Sequence, residues 1–169
     1  MINNYYFINV VRFILLVLVQ VLVFSRLDFL GFINPMIYIL FLYWYPIKEN
    51  RATLIGLGFL LGFSIDFFSD TMAINAASTI TIAYLRPTIM RFIFGVNYEF
   101  QSFKLSNATK AQQITFLALL IIVHHMVFFT LEIFSFENFL LILKKVFSIS
   151  LASLILCLLF SSLFSIKKE

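Results

Sequence analysis

The sequence predicts an all-α integral membrane protein, a bundle of six transmembrane helices with both termini in the cytoplasm. Of its 169 residues, 62% are hydrophobic and only 12% are charged. A soluble domain has about twice that share of charge, and its polar groups must cover a large surface. Six crossings of about 20 residues would use about 120 residues and leave about 50 for connections. Membrane lipid is therefore the first expected partner, and this layout disfavours an enzyme with a soluble catalytic module.

The six predicted spans fall into two groups. Three are runs of 19 to 21 residues without Asp, Glu, Lys or Arg, namely 29–47, 111–131 and 146–166. Each is long enough to cross the hydrocarbon core as a helix. The others contain charge, which costs about 2.5–3.5 kcal/mol at mid-membrane on insertion scales. They are 5–25 with Arg12, 52–69 with Asp66, and 72–92 with Arg86 followed by Pro87.

The distribution of basic residues predicts the orientation. Lys and Arg of short loops stay on the cytoplasmic side of a membrane. With the N-terminus inside, nine basic residues lie on the cytoplasmic side and three lie outside. The first set is Arg12, Lys48, Arg51, Arg86, Arg91, Lys104, Lys110, Lys167 and Lys168, and the second is Arg26, Lys144 and Lys145. We interpret the net charge of +4 as this asymmetry, and no nucleic-acid partner is expected.

The residues outside the apolar runs offer little catalytic chemistry. The segment 93–113 is the only sizeable soluble surface, and Ser106 or Asn107 is expected to cap the helix that follows it. The single cysteine, Cys157, permits neither an intrachain disulfide nor a metal site built on thiolates. No phosphate-binding loop, zinc helix motif or Ser/His/Asp grouping is present, so neither a cofactor nor an enzymatic activity is expected.

The third predicted span carries a stripe of small residues that ends in an acid. Gly58, Gly62 and Asp66 are four residues apart and so lie on one helical face. Small residues let another helix approach closely, which makes a packed helix pair the simpler interpretation. In the alternative, Asp66 binds a partner or lines a pocket, because intramembrane acids usually face the bundle interior. Asn75 and Thr79 share a face of the next helix and are its nearest candidate neighbours.

Arg86 and a pair of histidines are further candidates. Arg86 is expected near the inner end of the fourth span, about 20 Å in depth from Asp66 at 1.5 Å per residue. His124 and His125 lie at mid-span of the fifth helix, with Glu132 two turns beyond His125 on the same face. This arrangement is compatible with a proton relay. The simpler interpretation is two hydrogen-bonded interior histidines, with Glu132 near the outer interface.

Three stretches of the third and fourth spans form one pattern: the run from Gly58 to Asp70, then Asn75-Ala76-Ala77, and then the run from Ala83 to Pro87. These stretches resemble the bacterial rod shape-determining protein family MreD. The family pattern is a Gly-xxx-Gly helix ending in Asp, a short turn, and a helix rich in small residues. The match covers the whole chain in layout but only about thirty residues in motif, and it implies that Gly58, Gly62 and Asp66 shape a helix-docking surface.

The resemblance implies a non-enzymatic, multi-pass component of the bacterial inner membrane. Such a protein organises peptidoglycan synthesis in the cell-elongation complex. Its implied partners are the bitopic protein MreC, the actin-like MreB and the enzymes of cell-wall synthesis. The family is also similar in architecture to the substrate-binding subunits of energy-coupling factor transporters, which gives a second hypothesis of solute binding. A proton-coupled carrier that uses His125 and Glu132 is the third.

Overall fold

The computed structural model of the chain describes residues 4–26, 34–47, 49–95, 103–134 and 139–164. Several sequence predictions lie outside these residues. They concern both chain ends with Lys167 and Lys168, the loop residue Lys48, residues 29–33 of the second predicted span, and residues 96–102 of the soluble segment.

The described chain is helical and contains no strand. Six α-helices follow one another: α1 (Asn4–Leu22), α2 (Leu40–Trp44), α3 (Arg51–Ser69), α4 (Ile74–Phe94), α5 (Lys110–Ile133) and α6 (Phe139–Phe164). Short 3-10 helices at Phe24–Arg26 and Leu105–Asn107 lie between them. The fold class predicted from composition is therefore confirmed as far as its helical character goes.

Among the residues that the structure describes, three helices are long and apolar enough to cross a membrane. They are α3, α5 and the stretch Phe139–Leu163 of α6, while Phe7–Leu22 in α1 is a shorter apolar helix. Large apolar side chains cover the outer faces, as at Phe92, which is 81% exposed. Lipid is the solvent that suits such a surface. These features indicate a membrane protein, and the larger number of six crossings stays a prediction.

The second predicted span is not a continuous helix. Residues 34–39 form no helix, and only the five residues of α2 do so before the chain turns again. Pro35 is one cause, because it has no backbone N–H to donate and restricts the residue before it. This segment is also the most deeply buried part of the fold, with Ile37, Tyr38 and Ile39 at 0% exposure. The prediction of a helix throughout 29–47 is therefore wrong for residues 34–39.

Two helix starts differ from those predicted. Helix α6 begins at Phe139 rather than Val146, so Lys144 and Lys145 belong to its second turn and not to a loop. The cap of α5 is Thr109 rather than Ser106 or Asn107. Its hydroxyl accepts from the Gln112 backbone, and the Gln112 side chain reaches back to the backbone of Thr109. A reciprocal cap of this kind satisfies two helix-end donors, which a single preceding Ser or Asn does not.

The helices pack largely in chain order, with α3 on α4, α4 on α5, α5 on α6, and α1 on α3. Ser25, Thr71 and Glu132, from regions predicted to face outward, line one cavity together. Residues 43–47, at the inner end of the second predicted span, and residues 103–105, from the segment predicted to be cytoplasmic, line a different one. The connections that line these two cavities therefore lie at two different ends of the bundle. The buried segment 34–45 lies inside the bundle.

Candidate functional site

The glycine stripe of α3 is occupied by α4. A Cβ placed on Gly62 would lie 2.5 Å from Ala76 Cα and would also collide with Thr79 Oγ1. A Cβ on Gly58 would lie 3.3 Å from Ala83 Cβ. Gly62 therefore permits a backbone-to-backbone approach that any side chain would prevent, as small-xxx-small pairs do in membranes. The stripe joins two helices of this chain.

The Asp66 carboxylate caps the first turn of α4. Its Oδ1 accepts from the backbone N–H of Asn75 at 3.0 Å, from Asn75 Nδ2 at 2.9 Å and from the hydroxyl of Thr71. Its Oδ2 accepts from the backbone N–H of Ala76 at 2.8 Å. A helix N-terminus has unpaired N–H groups and a partial positive charge, so an anion there is stabilised. Asp66 is 6% exposed and closes the α3–α4 hairpin.

The irregular segment 34–39 is held by side chains from α1 and α6. Gln20 donates through Nε2 to the carbonyl of Pro35 at 3.2 Å and accepts through Oε1 from the N–H of Ile37 at 2.9 Å. Ser153 Oγ accepts from the N–H of Met36 at 2.9 Å. Irregular backbone at membrane depth is tolerated only where protein or a water-filled cavity surrounds it, because unpaired groups in lipid cost several kcal/mol each. Gln20 and Ser153 provide those partners.

Tyr38 connects the capped hairpin to the fifth helix. Its hydroxyl oxygen is 2.6 Å from Asn75 Oδ1 and 2.8 Å from His124 Nε2. Asn75 uses its amide hydrogens on Asp66 and Thr71, so its Oδ1 accepts the Tyr38 proton. His124 must then donate from Nε2 to the phenolic oxygen, which assigns its tautomer. A buried hydrogen-bonded chain therefore runs from Asp66 through Asn75 and Tyr38 to His124.

The second histidine has different partners. His125 Nδ1 donates to the carbonyl of Ile121 at 2.7 Å, so a neutral ring has its acceptor at Nε2, 3.4 Å from Ser153 Oγ. Glu132 instead forms an ion pair with Lys145 at 3.0 Å, where both side chains are partly exposed. His125 and Glu132 are thus engaged separately, in agreement with the interpretation of hydrogen-bonded interior histidines.

Arg86 lies at the other end of α4. Its guanidinium donates to the carbonyl of Tyr45, and its Cζ is 5.8 Å from the centre of the Phe116 ring. Eleven residues separate it from Asn75, about 16 Å along the helix. Arg86 therefore binds the far end of the buried segment, away from Asp66 as predicted.

A cavity of about 260 Å³ opens at the end of the bundle where Asp66 lies. All the long helices and the segment 34–39 contribute to its wall, and apolar side chains such as Phe128 and Phe129 form part of it. Its polar lining consists of Gln20, Ser25, Asn34, Ser69, Thr71, Asn75, Glu132 and Lys145. Among the described residues, no group of His, Cys, Asp or Glu is suited to hold a metal ion.

The structure brings together five of the predicted site residues, namely Gly58, Gly62, Asp66, Asn75 and Thr79. Sequence inspection missed Gln20, Tyr38 and Ser153, which complete the buried network. Two signals were present: the amide of Gln20 in an otherwise apolar run, and the Asn-Pro dipeptide at 34–35, which is typical of turns.

The fold and composition define the class, an all-helical membrane protein. Comparison of the chain with protein-family models, with curated proteins and with solved structures found no match. The resemblance of the third and fourth spans to MreD therefore stays a prediction from the sequence.

Proposed function

We propose that this chain is a non-enzymatic, MreD-like component of the cell-elongation complex in the bacterial inner membrane, with six crossings and both termini in the cytoplasm. In this role it organises peptidoglycan synthesis through contacts with an MreC-like bitopic protein, and through that protein with actin-like and wall-synthesising partners. The three crossings beyond α3, α5 and α6 are assigned to α1, α4 and the buried segment that includes α2.

One observation carries the proposal: the residues of the resemblance form a single locked unit. The Gly58–Gly62 face admits α4, and the Asp66 carboxylate holds the backbone of Asn75 and Ala76. The α3–α4 hairpin is thus fixed along its length by the glycine face and at its turn by Asp66. Its outer faces are therefore held in one geometry, in which a partner can bind them. Rigid presentation of a surface reduces the ordering cost of binding, which suits a scaffold protein. Partner contacts then fall on outward faces, because the glycine stripe is filled by α4.

Depletion of the protein in its bacterial host tests this role. We expect rod-shaped cells to widen and become round, with peptidoglycan insertion no longer confined to the lateral wall. A tagged chain should also retain an MreC-like protein on purification. Normal width and elongation after depletion would refute the scaffold role.

A pair of aspartates in the same hairpin provides a matched control. Asp66→Asn removes the charge from the α4 cap, whereas Asp70→Asn removes the same charge from an exposed side chain four residues later. Asp70 has a φ of 55°, a conformation that Asn also tolerates. We expect Asp66→Asn to fail to restore cell shape at normal membrane levels and Asp70→Asn to restore it. If both variants restored cell shape equally well, the Asp66 cap would not be required for the function.

A second candidate function is supported by the polar cavity. A solute-binding subunit of an energy-coupling factor type transporter needs a small site with polar groups near one membrane face, and this cavity of about 260 Å³ has a polar lining at one end of the bundle. On that hypothesis, uptake of a solute would depend on this chain and on a partner ATPase. Uptake that is unchanged in a deletion strain would exclude it, independently of cell shape.

A further inference from the structure

The cavity at the Asp66 end of the bundle is lined by both polar and apolar side chains. Phe128 and Phe129 line it from α5, and Glu132 with Lys145 form an ion pair in its wall. The Lys145 Nζ also lies 5.3 Å from the centre of the Phe129 ring. One anion and one cation thus stand next to aromatic surface.

Some polar groups in the cavity wall already have hydrogen-bond partners, and others do not. The side-chain donors of Thr71 and Asn75 are all used by the contacts around Asp66. Asn34 Oδ1, in contrast, is buried and accepts no hydrogen bond from the described residues. Buried carbonyl oxygens are almost always paired in folded proteins, by protein, water or ligand. The ion pair also keeps free donors on Lys145 and a free oxygen on Glu132, since only one N···O contact joins them.

The cavity wall carries one positive and one negative side chain, and these two charges determine which type of ligand it can bind. A simple anion that took Lys145 would leave Glu132 without its partner, and a simple cation would do the reverse to Lys145. Both results would leave one partly exposed charge without the ion-pair partner that it has in the structure. A molecule with one positive and one negative group satisfies both side chains together. The volume of about 260 Å³ lies just below the range of about 300–1,000 Å³ usual for drug-sized ligands, so the molecule is small.

We infer that this cavity binds a small zwitterion, namely an α-amino acid with an apolar side chain. The ligand carboxylate accepts from Lys145, its ammonium donates to Glu132 and to Asn34 Oδ1, and its side chain lies against Phe128 and Phe129. This inference rests on the second proposed function and names its substrate class. It concerns binding alone, so it is tested without any transport partner.

The test uses the full chain purified into phosphatidylcholine nanodiscs. Each of the twenty L-amino acids is added at millimolar concentration and the thermal unfolding midpoint is measured, because a ligand that binds only the folded state raises it. We expect Leu, Ile, Val, Met or Phe to raise the midpoint and Asp, Lys and Arg to leave it unchanged. For the best ligand, the amide and the deaminated acid should each bind at least tenfold more weakly.

Variants then locate the site. Glu132→Gln and Lys145→Gln should each weaken binding of the radiolabelled ligand at least tenfold, and Asn34→Leu should do the same. Lys110→Gln, an exposed lysine on α5, is the control and should bind normally. If a single variant does not fold, the exchange Glu132→Lys with Lys145→Glu retains an ion pair and should still lose the ligand, because both its charges then face like charges.

Three results would overturn the inference. The first is the absence of stabilisation by every amino acid in the panel. The second is equal binding of the deaminated acid, which would remove the role of Glu132. The third is a tightly retained phospholipid, detected by native mass spectrometry, with no amino acid bound. Binding with no uptake defect in cells would keep this inference and reject the transporter role, whereas an uptake defect with no amino acid binding would do the opposite.

Discussion

Replacing Gly62 by Ala should separate α3 from α4. The new Cβ would stand 2.5 Å from Ala76 Cα, 0.9 Å inside an ordinary contact of 3.4 Å, and backbone cannot rotate away. Overpacking costs about 1–3 kcal/mol, and the upper end applies here because α4 must shift as a unit. Ala at a helix interior regains about 1 kcal/mol over Gly. The expected net loss is therefore about 2 kcal/mol in the free energy of unfolding.

Two other glycines of α3 calibrate this value. Gly56→Ala meets nothing within 4 Å and should stabilise the protein by about 0.5–1 kcal/mol. Gly58→Ala meets Ala83 Cβ at 3.3 Å and should fall between the two. Unfolding in mixed detergent micelles can be followed through Trp44, the only tryptophan. Equal stability of the Gly62 and Gly56 variants would refute the close approach of the two helices.

Three further predictions test the cap, the buried network and the topology. Asp66→Leu removes the acceptors of the Asn75 and Ala76 backbone N–H groups and should destabilise the protein by about 2 kcal/mol in the same assay, whereas an unchanged stability would contradict the capping role. Tyr38→Phe leaves Asn75 and His124 without their shared partner and should cost about 1–3 kcal/mol, while a variant as stable as the parent would show that water replaces the phenol. Reporters fused after Asn107 and after Asn138 should lie on opposite sides of the membrane, since α5 separates them, and detection on the same side would exclude a crossing by α5.

The α3–α4 hairpin was largely predictable from the sequence. Four-residue spacing placed Gly58, Gly62 and Asp66 on one face, and Asn75 and Thr79 were the expected neighbours on the next helix. The spacing did not specify the chemistry of the contact. A carboxylate on a packed face is equally suited to a partner, a pocket or a helix end, and the turn at 70–73, with positive φ at Asp70, Met72 and Ala73, directs it to the last of these.

The polar cavity depends on contacts that no local pattern contains. Glu132 and Lys145 are thirteen residues apart on different helices, and Asn34 lies about a hundred residues before them. The sequence placed Glu132 and Lys145 near helix ends, but their pairing depends on how α5 packs on α6. The volume between them is set in the same way.

The sequence by itself determined that the chain is helical, apolar on its surface and suited to lipid, because hydropathy reports the medium that side chains prefer. The sequence did not show whether that medium is lipid or the interior of the protein. Residues 34–39 belong to a charge-free run long enough for a spanning helix, but they lie within the bundle, where Gln20 and Ser153 satisfy their backbone. Only the tertiary structure decided this, because a backbone can leave the helical conformation at membrane depth only when other parts of the protein supply its hydrogen bonds.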